Sequence, residues 1–295
     1  MKNKIVSVGS IAIDELQTPK GSHSNIIGGS ATFFSIAASR YNPVKLIGIV
    51  GDDFPKEGWD LFNKYNVNTD MVTIENGKTF SWGGKYSDDY STRDTLYTDL
   101  GVFENYIPNI PESVDTEYLY LGNIQPSLQL DVIKKIKNKK RIVSDTMNLW
   151  IDLDLKGLWD VINLTNIFLL NDEEAMQLTG ETDLNKIGHQ LIDAGPDTVI
   201  IKKGAKGSTL FTSKGTIEMP VYDKIELFDP TGAGDSFAGG LVGYISKYGE
   251  ESIKEALVHA TATASFTVSD FGVAGLIKSS EESFESRCQY IKSKL

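Results

Sequence analysis

The chain has 295 residues, 40% of them hydrophobic and 10% aromatic, which is enough apolar side chain for a large core and too much for a disordered polymer. Its 29 lysines and arginines stand against 40 aspartates and glutamates, a net charge of −11 that leaves no excess of cations to neutralise a nucleic acid or an anionic membrane. A single cysteine, Cys288, excludes an internal disulfide, and His23, His189 and His259 form no cluster at zinc-ligand spacing, so a reducing, cytoplasmic setting is expected.

Ile5-Val6-Ser7-Val8 reads as a first buried strand rather than the core of a signal peptide, because Asp14 interrupts the apolar stretch early. No run of about 18 apolar residues occurs anywhere, so no membrane span is expected. Apolar positions recur at helical spacing over Ala31–Arg40, a strand follows at Val44–Val50, and a second helix at Pro55–Tyr65. From about Met71 to Leu100 the chain turns rich in Thr, Tyr, Trp, Ser and Gly, alternates as in Thr79-Phe80-Ser81-Trp82, and loses the helical period. This stretch predicts a small β-sheet lid, joined by strands from about 12–27 and inserted within one domain spanning 1–295, since neither a repeat nor a linker interrupts the chain. Strands are then predicted at Tyr118–Leu121, Ile142–Ser144, Ile167–Leu170 and Thr198–Ile201, with helices at Leu128–Lys137, Asp172–Thr179 and Leu184–Ala194 between them. A last strand is expected at Lys224–Phe228, then a helix running to Gly249 and another at Ser252–Thr267. Alternating strands and helices predict an α/β fold, a mostly parallel sheet with helices on both faces.

The strongest local signal is Asp229-Pro230-Thr231-Gly232-Ala233-Gly234-Asp235, placed between the last strand and its helix. Amides at a helix start lack intrahelical partners, and glycine lets an anion approach them closely, so Gly232, Ala233 and Gly234 suit a phosphoryl group in flight. Asp235, in the first helical turn, would stand beside it as a general base. A close strand-to-helix turn with a capping carboxylate is the plain alternative. A dinucleotide fingerprint fits less well, because Phe237 occupies the third glycine position, and a P-loop fails because Val72 stands where its first glycine belongs.

Asp229 to Asp235 resembles the C-terminal signature of the PfkB or ribokinase family, and the similarity extends over nearly the whole chain, from Gly9-Ser10-Ile11-Ala12-Ile13-Asp14 and the Gly28-Gly29 pair onward. The resemblance implies a ribokinase-like three-layer fold and ATP-dependent phosphorylation of a sugar, polyol or nucleoside hydroxyl. It implies that Asp14, Gly28 and Gly29 hold the acceptor, and that Asn171 and Glu174, in an N-x-x-E motif, position hydrated Mg2+ and the phosphates. It also implies that Thr231, Lys202 and the turn from Gly204 to Gly207 attend the nucleotide. Ala260–Phe271, with His259 and Ala262, would line the adenine. Asp229, with a loop around Ser269 to Gly275, would hold a monovalent cation such as K+.

Each motif has a plainer reading: Asn171 as a helix cap, Lys202 in a solvated basic turn, Gly28-Gly29 as a flexible turn. Phe33 departs from the asparagine common in ribokinases, which argues against ribose and for a core residue. Trp82, Lys85, Tyr86 and Arg93 are lid candidates for closing over the acceptor, Arg93 also for meeting phosphate, and aromatic cross-strand packing or a homodimer through the lid would use the same residues. Asn123, Asp145 and Asn148 follow strand ends and are further candidates for acceptor or phosphate contacts. A catalytically silent sugar or nucleoside sensor of the same fold, and less readily a dinucleotide-dependent oxidoreductase, are the rival functions.

Overall fold

The computed structural model describes residues 2–295. The chain begins with β1 (Asn3–Val8), then leaves the main sheet for a hairpin, β2 (Ala12–Thr18) and β3 (Gly21–Gly28), and returns through α1 (Ser30–Ala38) to β4 (Val44–Gly51). After α2 (Lys56–Lys64) come β5 (Val67–Glu75), a second hairpin of β6 (Ser81–Tyr86) and β7 (Arg93–Asp99), then β8 (Asp115–Leu121). The middle of the chain alternates: α3 (Pro126–Lys135), β9 (Asn138–Ser144), α4 (Asn148–Leu153), α5 (Leu155–Ile162), β10 (Ile167–Asn171), α6 (Asp172–Thr179), α7 (Leu184–Asp193) and β11 (Thr198–Lys202). A hairpin of β12 (Ser208–Thr212) and β13 (Gly215–Met219) precedes the helices α8 (Ala233–Tyr248), α9 (Ile253–Thr267), α10 (Ala274–Lys278) and α11 (Glu281–Lys292).

Nine strands form one sheet in the order β13-β12-β11-β10-β9-β8-β1-β4-β5, parallel throughout except at β11-β12 and β12-β13. Period-two alternation sends neighbouring residues of each strand to opposite faces. Ile5, Tyr120, Leu169 and Ile200 pack against Phe34, Phe237 and Leu241 of α1 and α8. Val6, Leu119 and Leu121 meet Val132 and Ile133 of α3, while Phe168, Leu170 and Val199 meet Leu158, Ile187 and Leu191 of α5 and α7. Both faces are therefore covered, as a parallel sheet requires.

A second sheet, ordered β3-β2-β6-β7, is built from the two hairpins, with β2 and β6 parallel. Its boundary corrects the expectation from the sequence: Met71 to Glu75 belong to β5 and pair with β4 in the large sheet, so the small sheet takes up this part of the chain only at Ser81. The strand expected at Lys224–Phe228 is absent as well. That segment is held without a ladder: the Phe228 amide donates to the Val268 carbonyl at 2.9 Å, and the Tyr90 hydroxyl donates to the carbonyls of Leu227 and Phe228 at 3.1 and 3.2 Å. A dinucleotide fingerprint needs a strand at that place, so the oxidoreductase reading loses its structural premise.

Candidate active site

The loop after residue 219 turns sharply into α8 at Gly232, whose φ of 73° lies in the left-handed region. A Cβ there would fall 2.4 Å from the Phe33 ring, so glycine is required twice over, by backbone and by space. Phe33 is 2% exposed; it is the core residue that the sequence suggested, and it forms the floor under this turn. Of the expected anion-binding amides, Ala233 is already engaged, donating to the Pro230 carbonyl at 3.2 Å. Those of Gly232 and Gly234 have no acceptor among the described residues. A Cβ on Gly234 would lie 2.9 Å from Lys202 Nζ, which brings an ammonium against the same turn.

Lys202, the last residue of β11, is not in a solvated turn. It is largely buried and forms an ion pair with Asp145 Oδ2 at 2.8 Å. Burial disfavours its charge, yet Asp145 and Glu174 outweigh that and raise its pKa above the usual lysine value. Asp235 occupies the first turn of α8, partly open to solvent, and accepts a hydrogen bond at Oδ1 from the Tyr120 hydroxyl at 3.2 Å. Burial, and then the Asp145 charge, push its pKa up to about 7 against the pull of Lys202. Glu174 is likewise raised to about 7, chiefly by burial, with Lys202 opposing. Burial is the larger cause in both, and the Asp145 charge adds to it, so these two carboxyls are held close to protonation despite the Lys202 ammonium. Asp145 follows β9 and was legible as a strand-end acid; Tyr120 carried no sequence signal, since a tyrosine in a strand reads as core.

Asn171 and Glu174 form a reciprocal capping box at the start of α6: the Glu174 amide donates to Asn171 Oδ1 at 2.7 Å and the Asn171 amide to Glu174 Oε2 at 2.8 Å. The plain reading of Asn171 as a cap is therefore realised, and the same bonds aim a 6%-exposed Glu174 toward the Lys202 cluster. Gly204 and Gly207, at φ 54° and 89°, make the tight turn from β11 to β12, closed by the Lys203 amide on the Gly207 carbonyl at 2.7 Å.

Asp14 sits within β2 and is 5% exposed. The Trp82 amide donates to its Oδ1 at 3.3 Å, and a Cβ on Gly28 would strike its Oδ2 at 2.2 Å. Burial raises the Asp14 pKa to about 7; the Trp82 amide works against this and the Asp229 charge adds to it. Gly29, at φ 92°, caps α1 with its Cα hydrogen against the Ser10 carbonyl, so the glycine pair is a fixed feature and not a flexible turn. Asp229 is fully buried and joins two loops, accepting the Thr231 amide at 2.9 Å on Oδ1 and the Gly272 amide at 3.1 Å on Oδ2.

From the small sheet, the Tyr86 hydroxyl meets Thr231 Oγ1 at 2.9 Å, and the Arg93 guanidinium lies over the Trp82 ring, 5.1 Å from its centroid. Other candidates fall elsewhere. Asn123 Oδ1 is taken by the Trp150 indole at 2.9 Å, and Asn148 is tied to Gln177. Lys85 is exposed. His259 bonds the Tyr41 hydroxyl at 2.8 Å and packs on Tyr244, and Ala262 is fully buried in the helical core, so neither presents a surface for adenine.

A mostly parallel sheet with both faces covered, and a glycine turn with free amides beside a buried carboxyl cluster, make an α/β fold with a polar site at its strand ends. The profile of the pfkB family carbohydrate kinases matches residues 2–279, and the chain belongs to that family. It is 28% identical over 247 residues to the cytidine kinase of Thermococcus kodakarensis, covering 81% of this chain and 88% of that one. It is 27% identical over 283 residues to the nucleoside kinase of Methanocaldococcus jannaschii, covering 90% of each. Among solved structures, the aminoimidazole riboside kinase of Salmonella enterica, in complex with aminoimidazole riboside and an ATP analogue, superposes with a TM-score of 0.78 at 20% identity, covering 97% of this chain and 100% of that one. The chain is accordingly an ATP-dependent kinase of a sugar or nucleoside.

Proposed function

We propose that the chain transfers the γ-phosphoryl group of ATP to a hydroxyl of a small sugar or nucleoside, with Asp235 as general base. The observation that carries this reading is the convergence of the Asp235 carboxyl, the unpartnered amides of Gly232 and Gly234, and Lys202 on one partly open point. Asp235 accepts the acceptor's proton as the hydroxyl oxygen bonds the γ-phosphorus, and the bond to the bridging oxygen breaks to release ADP. The amides and the Lys202 ammonium face the charge on the transferring oxygens. Asp14 is proposed to accept hydrogen bonds from the acceptor, and Gly28 to leave the room for it. Cytidine and other nucleosides are the acceptors to test first, given the activities named for the relatives of Thermococcus and Methanocaldococcus.

Magnesium fits the donor set: Glu174 and Asp145 are hard oxygen donors at neighbouring strand ends beside the phosphate turn, and this ion keeps much of its water and binds through few carboxylates. Bound there, it would neutralise charge on the phosphates. A monovalent cation such as K+ is proposed beside the turn, where Asp229 joins the Thr231 and Gly272 loops. The small sheet is proposed as a lid on the one domain, and its outer strand β7, with Leu96 and Tyr97 exposed, as the face through which two copies pair. No helix of the described residues is long and apolar enough to cross a membrane, and a cytoplasmic setting is proposed, where ATP is abundant.

The test is Asp235→Asn assayed with ATP, Mg2+ and a panel of nucleosides and sugars. Loss of about a hundredfold or more in kcat with nucleotide binding retained is expected, and unchanged kcat would remove the assignment.

A further inference from the structure

Tyr120 is fully buried in β8, its ring stacked on Phe34 of α1 with centroids 3.7 Å apart and planes 4° from parallel. A phenylalanine would make that contact equally well. Its hydroxyl is a different matter, because a buried hydroxyl without a partner is costly, and the acceptor it has is Asp235 Oδ1 at 3.2 Å. The two strand neighbours, Leu119 and Leu121, face the opposite layer, so sheet packing alone gives no reason for a polar atom at this place. Asp235 Oδ2 makes no hydrogen bond to another described residue.

A carboxyl at a helix start rotates readily about its last torsion, and general base catalysis needs one oxygen aimed at the proton it removes. We propose that Tyr120 is a positioning residue for the phosphoryl transfer: its hydroxyl donates to Oδ1 of Asp235, fixes the carboxyl plane, and leaves Oδ2 to receive the acceptor's proton. The inference rests on Asp235 being the base. The same bond favours the ionised carboxylate and so opposes burial and the Asp145 charge, which push the other way.

Tyr120→Phe keeps the ring, and with it the contact on Phe34. The carboxyl of Asp235 can be titrated directly by NMR in protein labelled with 13C-aspartate, its resonance identified by its loss in Asp235→Asn. In Tyr120→Phe its midpoint is expected to rise by about one pH unit, the size of a hydrogen bond to a charged group. With cytidine and ATP, the acid limb of kcat/KM is expected to move upward by the same amount. The loss would be about tenfold greater below the limb than above it, a residual loss from the freed carboxyl plane would persist at high pH, and KM for ATP would be unchanged. Coincident NMR midpoints for the two proteins overturn the inference, whether or not cytidine is turned over, and so does wild-type kcat/KM above the acid limb, where only the orientation of the carboxylate would matter. Asp235→Asn run in parallel separates the two claims: full activity in that variant defeats the base assignment, whereas its inactivity beside an unshifted Tyr120→Phe defeats only the role of Tyr120.

Discussion

A carboxylate serving as base must be ionised, yet burial and the Asp145 charge hold Asp235 near a pKa of 7. Turnover of the wild-type enzyme is therefore expected to fall as pH drops through about 7. The same shift has a consequence for stability with the opposite sign. A carboxyl whose pKa is raised by folding favours the folded state fully below its unfolded value of 3.8, and that contribution is lost as pH rises through about 7. Asp235→Asn does not ionise, so urea denaturation is expected to find it more stable than wild type by up to about 4 kcal/mol at pH 8, and little more stable at pH 4. An equal difference at both pH values would mean that the charge is not strained by its surroundings. The glycines of the turn separate in a related way. Gly232→Ala forces a left-handed φ and a clash with Phe33, and is expected to cost about 1–3 kcal/mol of stability. Gly234→Ala meets only the end of the Lys202 side chain and would displace it from its pairing with Asp145, so folding is expected to survive while KM for ATP rises. The signature from Asp229 to Asp235 made these residues legible in the sequence because local spacing fixes them. The pairing of Lys202 with Asp145 and the bond from Tyr120 join strands far apart in the chain, and no local pattern records them.

At the scale of elements, the alternating strands and helices were readable because the β-branched runs are buried on both faces and helices such as α2 and α5 present one apolar stripe. The errors arose where period two is satisfied by something other than the expected ladder. Val67–Glu75 alternates like a lid strand but pairs with β4, and Lys224–Phe228 alternates but is held by side chains from the small sheet. That second case identifies a clasp. Tyr90 on the Leu227 and Phe228 carbonyls, Tyr86 on Thr231, and the Lys20–Glu226 ion pair tie the small sheet to the segment that enters the glycine turn. Removing both hydroxyls in Tyr86→Phe/Tyr90→Phe, at about 1 kcal/mol each, should shift the closed state toward open by about thirtyfold. Amide exchange in 226–231 is expected to accelerate accordingly while the helices of the large sheet keep their protection. Unchanged exchange there would show that the hydroxyls do not hold the sheet down.

Across the whole molecule, the candidate residues fall on two sheets. Asp14 and Gly28 belong to the small sheet, whereas Lys202 ends β11 of the large one and Glu174 and Asp235 lie in the first turns of α6 and α8, and the Tyr86 hydroxyl on Thr231 joins the small sheet to the turn before α8. An acceptor seated on Asp14 would bear on the clasp, and a nucleotide at the turn would bear on its other side, so each ligand should favour the arrangement the other needs. A single ligand at a hundredfold excess over its Kd stabilises the folded state by about 2.7 kcal/mol. If the two sites were independent, cytidine and a non-hydrolysable ATP analogue would raise the unfolding free energy together by the sum of their separate effects. Coupling through the clasp predicts a combined effect above that sum by about 1–3 kcal/mol. The excess should shrink in Tyr86→Phe/Tyr90→Phe, because the element transmitting it has been weakened. Denaturation of both proteins with each ligand alone and with the pair measures this directly, and additive effects in wild type would mean that the acceptor and nucleotide sites close separately.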